Sequence, residues 1–214
     1  MNSIAATARR ASRGSALLAL LLLGACSVPM PDKPTRPQHY DLGPPLAAAT
    51  SAAPIGVALA VDAVSAPATL DGSHILYRLM YEDGAQQPRP YAHARWSMTP
   101  PQLVTQRLRA AFAATRPVVE LGGGLAPLEL RAELDDFTQV FSSPKDSEGV
   151  VSLRVTVTAP HARGAERLLG QRTFVVRKPA PSADAPGGVS ALRGATDEAV
   201  RQALDWVNAL PAPR

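Results

Sequence analysis

Sulfur chemistry is almost absent: the 214-residue chain contains one cysteine, Cys26. A single thiol excludes an internal disulfide and a multi-cysteine metal site, so the folded part must stand on its apolar core. Histidine is equally sparse. His39, His74, His93 and His161 are scattered, and no two stand at metal-ligand spacing. No metal or cofactor is expected. No apolar run is long enough to cross a bilayer, because Ala16 to Leu23 falls well short of the roughly 20 residues a spanning helix needs. There is no Gly-x-Ser-x-Gly elbow and no internal repeat. Gly122-Gly123-Gly124 lacks a following Lys-Ser/Thr pair and runs into Leu125-Ala126-Pro127, so it predicts a turn rather than a phosphate loop. No catalytic residue is assigned.

What the chain does have begins at its N-terminus. Arg9, Arg10 and Arg13 precede the Leu/Ala run, and Leu23-Gly24-Ala25-Cys26 follows it. Basic residues, a short apolar stretch and small side chains are the order of a signal peptide. Small residues at 24 and 25 admit a membrane peptidase to the bond before Cys26, and a diacylglyceryl group on that thiol makes cut and anchor coincide. This resembles the lipobox of bacterial lipoproteins. Residues 1–25 are therefore expected to be a signal peptide and Cys26 the lipidated residue. More than one acyl chain is what holds a protein stably on a bilayer, at about 0.8 kcal/mol per buried methylene.

Charge changes with that cleavage. Without the three leader arginines, 19 Lys+Arg face 18 Asp+Glu, a net charge of +1 in place of the +4 of the whole chain. The basic sequence pI of about 9.6 thus owes much to a discarded segment, and no nucleic-acid partner follows from it.

Residues 26–53 are rich in Pro, Ala and Thr and predict an extended spacer, reaching at most about 80 Å over roughly 25 residues. Tyr40-Asp41-Leu42 could instead open the domain as an edge strand. The domain is assigned to 54–210 and a tail to 211–214. Alternation predicts strands over Ile55–Val64, Ile75–Tyr81, Tyr91–Trp96, Pro117–Leu121, Leu128–Phe141, Val151–Val157 and Leu168–Val176. In the fifth of these the apolar phase slips between Leu134 and Phe137, which predicts a bulge near Asp135-Asp136. A solvated bulge accounts for those two carboxylates better than an acid/base pair, which would need a cleft and a partner.

Thr99-Pro100-x-Gln102 is a capping box opening a helix that buries Leu103, Val104, Leu108, Ala111 and Phe112, with Gln106, Arg107 and Arg109 largely solvated. Met98 and Leu103 are placed for a hydrophobic staple. Lys178 to Gly188 predicts a loop, and Val189–Leu210 a second amphipathic helix. Strands and helices in this order predict an α+β class: one twisted, largely antiparallel sheet with both helices on one face. Arg95-Trp96, ahead of the capped helix, is a candidate partner contact because Arg and Trp are enriched at binding hot spots. A Trp ending a strand beside a helix is also an ordinary core residue.

Tyr40-Asp41-Leu42-Gly43, Tyr77-Arg78, Tyr91, Arg95-Trp96, Pro101-x-Leu103, Arg107-Leu108, the Leu130–Phe137 segment and the apolar last helix, in this order behind a lipobox, are similar to the ABC-type transport auxiliary lipoprotein family. Its PqiC-like members accompany MCE-domain lipid transport systems. The resemblance implies a non-enzymatic outer-membrane lipoprotein on the periplasmic side. It would be held by its acyl chains and dock an MCE-domain protein, with a homo-oligomer as a further possibility. Ser27 agrees as the sorting residue, since Asp after the acylated cysteine commonly retains lipoproteins in the inner membrane of enteric bacteria. Two alternatives stand beside docking: a lipid-binding periplasmic shuttle, which requires an apolar cavity, and a tethered envelope hydrolase, which requires a convergent nucleophile, base and carboxylate.

Overall fold

The structure is a computed structural model that describes residues 36–44, 56–83, 85–122, 126–160 and 166–211. The signal peptide, Cys26 and Ser27 lie outside the described residues. Eight strands and two helices follow in chain order. They are β1 (Gln38–Tyr40), β2 (Leu59–Val61), β3 (His74–Leu79), β4 (Arg89–Trp96), α1 (Pro100–Ala113), β5 (Val118–Val119), β6 (Leu128–Phe141), β7 (Ser147–Pro160), β8 (Glu166–Pro179) and α2 (Ala185–Asn208).

Strand β6 organises the sheet. One edge pairs along its length with β7, which pairs antiparallel with β8. The other edge is shared: β2 runs parallel to its start (Leu59 opposite Leu128), and β3 parallel to its end (Tyr77 opposite Gln139). Between the two, Ser65 makes an isolated parallel bridge to Glu133 of β6. Strand β5 extends the sheet beyond β2, while β4 and then β1 extend it beyond β3. The class is α+β as expected. The sheet is mixed, with long antiparallel ladders and short parallel ones, because β2 and β3 both run in the direction of β6.

The predicted bulge is present: the β6–β7 register shifts between Leu134 and Asp136. One extra residue there returns Phe137 to the same face as Leu130 and Leu134, so all three are buried. Leu153, Val155 and Val157 of β7 line that face beside them, with Ser152, Arg154 and Thr156 opposite. Each such apolar side chain contributes about 1.5–3 kcal/mol on burial.

Helix α2 covers this face with an i, i+4 row of Ala191, Ala195, Ala199 and Ala203, all buried. Small side chains bring the helix close to the strands. The approach is tight at Gly149 of β7, where a Cβ would sit 2.6 Å from the Leu192 backbone nitrogen. Helix α1 packs on the same core through Leu103, Val104, Leu108 and Phe112, and meets α2. Its start is as predicted: the Thr99 N–H donates to Gln102 Oε1 at 3.1 Å, and Pro100 occupies the first turn.

Four expectations need correction. Strand β1 pairs with β4, Tyr40 opposite Trp96, so part of the expected 26–53 spacer belongs to the domain, which starts before 54. The expected strand over Ile55–Val64 is regular only over Leu59–Val61, although the Gly56 and Asp62 N–H groups still donate to the Thr115 and Leu130 carbonyls, and Ile55 lies outside the described residues. Helix α2 begins at Ala185 rather than Val189. Asp184 caps it, accepting from the Gly187 N–H at 2.8 Å. Gly187 and Gly188 sit in the first turn because Cβ atoms there would strike Ser182 and the Gln139 side chain. Last, Arg107 is buried, not solvated, at 6% exposure.

Candidate functional site

The buried Arg107 marks the joint between the N-terminal segment and the domain. It lies one turn from both Leu103 and Ala111, inside the apolar stripe of α1, so the helix directs its stem inward. Its Nη1 donates to the Pro44 carbonyl at 2.9 Å, and its Nη2 to the carbonyls of Leu42 and Gly43, the latter at 3.1 Å. From α2, Asp197 places Oδ1 3.2 Å from Arg107 Nε, although the N–H is not aimed along a hydrogen bond and that oxygen has no other partner. Arg193 lies 3.9 Å from the second carboxylate oxygen. Burial, opposed by Arg107 and then Arg193, holds the Asp197 pKa above its ordinary value. Gly43 takes the left-handed φ of +65° that lets the backbone turn over the guanidinium. One cation thus ties three consecutive carbonyls of the incoming chain to both helices.

Beside this clamp is a groove of about 290 Å³, lined by Asp41, Leu42, Met98, Leu103, Gln106 and Arg107 among others. Its walls are the incoming segment and α1.

A second polar knot closes the N-terminal end of α2. The fully buried Gln139 accepts from Tyr91 Oη at 2.8 Å and donates to Ser147 Oγ at 2.8 Å. Tyr77 stacks near Tyr91, with ring centroids 4.7 Å apart. Burial, then Tyr77 and Asp184, hold the Tyr91 hydroxyl proton on well above the usual tyrosine range. Every partner is satisfied within the fold, so this knot fixes α2 on the sheet.

Of the Arg95-Trp96 pair, Trp96 is 1% exposed and meets Phe137 at 5.5 Å between centroids. It belongs to the core and presents no contact surface. Arg95 is half-buried and turns back onto the carbonyls of Tyr91 and Ala94. Asp135, the extra residue of the bulge, pairs with Arg154 at 2.7 Å on the outer sheet face, and Asp136 accepts from Thr138 at 2.6 Å. His39, His74 and His93 are exposed and His161 lies outside the described residues, as do Gly123 and Gly124. Gly122 has φ +91°, a turn conformation. The sequence reading missed Arg107 and Arg116, two buried guanidinium groups, one in the middle of α1 and one just beyond its C-terminal end. For Arg107 the signal was its place in the apolar stripe. Arg116 lies beyond the helix, where no periodicity speaks.

Residues 40–203 match the model of a family described as ABC-type transport auxiliary lipoprotein component. Among solved structures, the chain is similar to a DUF330-family protein from Xanthomonas campestris. The TM-score is 0.66 at 16% identity, covering 79% of this chain and 94% of that one. It is also similar to an uncharacterized protein, with TM-score 0.60 at 15% identity over 80% and 99% of the two chains. At these identities the likeness shows a shared fold. No curated protein matches the sequence.

Proposed function

Because the chain belongs to the ABC-type transport auxiliary lipoprotein component family, we propose that its auxiliary role is non-enzymatic docking. Cys26 carries the acyl chains, Ser27 permits sorting to the outer membrane, and the domain stands in the periplasm on the spacer that follows. There it binds an MCE-domain protein of an ABC-type lipid transport system and brings the assembly to that membrane. Anchoring raises the effective concentration of such a contact by confining the search to a surface. Arg95, at the end of β4, keeps a partly exposed guanidinium and is the residue of its pair that a partner can reach.

The observation that carries this reading is the clamp on residues 42–44. A docking component must transmit load between its anchor and its folded body. Here the segment arriving from the spacer is fixed by a buried cation to α1 and α2. A backbone held only at a strand edge would fray under the same load.

Two measurements on the full chain test the reading. Labelled palmitate should enter the wild-type protein and not Cys26→Ala. An MCE-domain protein should co-purify from solubilised envelopes with the wild type, with at least tenfold less recovered for the variant. Label in Cys26→Ala, or wild-type preparations free of any MCE-domain protein, would overturn the proposal.

A further inference from the structure

Arg116, just beyond α1, is 7% exposed, yet among the described residues no carboxylate faces it. Its Nη2 donates to Asn208 Oδ1, and its Nε has no acceptor. Burial alone perturbs its titration, in the direction that disfavours the charge. A buried guanidinium without a counter-charge is costly, and structures normally supply one.

What surrounds it is apolar. A cleft of about 130 Å³ is lined by Arg116 and Asn208 together with Val57, Leu128, Val157, Leu169, Val207 and Leu210. Its rim carries the half-exposed Val57, and the strongly exposed Leu168 adjoins Leu169 in the sequence. An apolar slot with a single buried cation is built to recognise a molecule with one anionic head and a hydrocarbon tail. Guanidinium matches a carboxylate or phosphate geometrically, and tail carbons match the slot.

We propose that this cleft is a binding site for an anionic amphiphile, whose carboxylate or phosphate oxygen pairs with Arg116 and whose first tail carbons pack on Val57, Leu128, Leu169 and Leu210. The site does not depend on acylation of Cys26 or on docking to a transporter.

The test is photolabelling of the full chain in a neutral detergent, with three probes bearing a diazirine in the same tail: a carboxylate, an alkyl phosphate and an alcohol. The anionic probes should label the peptides containing Val57, Leu169 and Leu210 at least tenfold more than the alcohol. Arg116→Gln should erase that preference while leaving the melting temperature unchanged or higher, since it removes an uncompensated charge. If Arg116→Gln does not fold, Val57→Glu, at a half-exposed rim position, serves instead. It sets a carboxylate beside Arg116, and should abolish anionic labelling and raise stability. A stronger carboxylate signal would mark a fatty acid, and a stronger phosphate signal a phospholipid; both support the site. Equal labelling by the alcohol, or a preference that survives in whichever of the two variants folds, would overturn it.

Discussion

Arg107 and Arg116 are equally buried and nine positions apart, yet their surroundings have opposite character. Arg107 meets a carboxylate and three carbonyl oxygens. Arg116 meets one amide oxygen and a row of hydrocarbon. A cation whose partners come from two distant parts of the chain holds both to its own helix. A cation with almost none contributes little to holding, and its cost is better explained by something it is kept to bind. The contrast separates a structural arginine from a recognition arginine by partner count alone.

The sharpest break between them is in stability. Arg107→Met should cost about 3–5 kcal/mol, because it strands Asp197 in the interior and releases residues 42–44. Arg116→Gln should cost nothing measurable, since Asn208 is exposed and water can take over its oxygen. Urea unfolding of the two variants side by side decides the matter. Similar losses would show that both arginines are structural and would remove the basis for the cleft.

Both arginines find their partners on α2, Asp197 in its middle and Asn208 at its end, so the seat of that helix sets the comparison. Gly149 is a point of that seat where the helix backbone itself lies against the sheet. A methyl there would meet the Leu192 nitrogen at 2.6 Å and the Ala191 Cβ at 2.9 Å, so Gly149→Ala forces α2 outward and should cost about 1–3 kcal/mol by overpacking. If the helix lifts as a unit, Arg107 loses part of its ion pair as well. The Arg107→Met penalty should then shrink in the Gly149→Ala background, and a double-mutant cycle reads that coupling directly. Strict additivity would mean that the joint and the seat are independent.

How far the sequence foretold this follows from what periodicity can report. Alternation marked β6 from Leu128 to Phe141 and its bulge, because a slip of one residue would turn Phe137 to the solvent. The Thr99 cap marked the start of α1. Strand β1, three residues on an edge, stood only as an alternative at Tyr40-Asp41-Leu42, and periodicity was silent on the first turn of α2. There Pro186-Gly187-Gly188 looks like a loop until the close approach of Gln139 and Ser182 explains the glycines. Periodicity was also silent on Arg116, which lies beyond α1, while for Arg107 it put the residue in the apolar stripe without showing that it is buried. A charged residue in an apolar stripe is assigned to solvent by default, and only tertiary partners can say otherwise. The possible contact at Arg95-Trp96 failed for Trp96 in the mirror sense: a hot-spot residue type turned out to be packed on Phe137.

The smallest expected effect lies in pH and probes how well Arg107 is compensated. Asp197 is raised above its ordinary 3.8 because burial outweighs the attraction of Arg107 and Arg193. A carboxyl raised in the folded state binds its proton more tightly there than in the unfolded chain. Its contribution to stability is therefore greatest below the unfolded value and is lost as pH rises through the folded one. Asp184 is lowered, first by the Ser182 hydroxyl and then by the Gly187 N–H. Its contribution is present above the unfolded value and disappears as pH falls through the folded one. Glu166, bonded by Arg131, and Glu198, bonded by Arg201, are lowered as well and act in the same direction. Urea midpoints followed across the acid range should accordingly show a rise at the low end, to which Asp184 contributes, and a shallow decline from Asp197 above it. Asp197→Asn should flatten only the decline, and Asp184→Asn should reduce only the rise, which Glu166 and Glu198 sustain in part. A decline that persists in Asp197→Asn would mean that Arg107 neutralises its partner fully. The two arginines would then differ more sharply than burial and distance alone require.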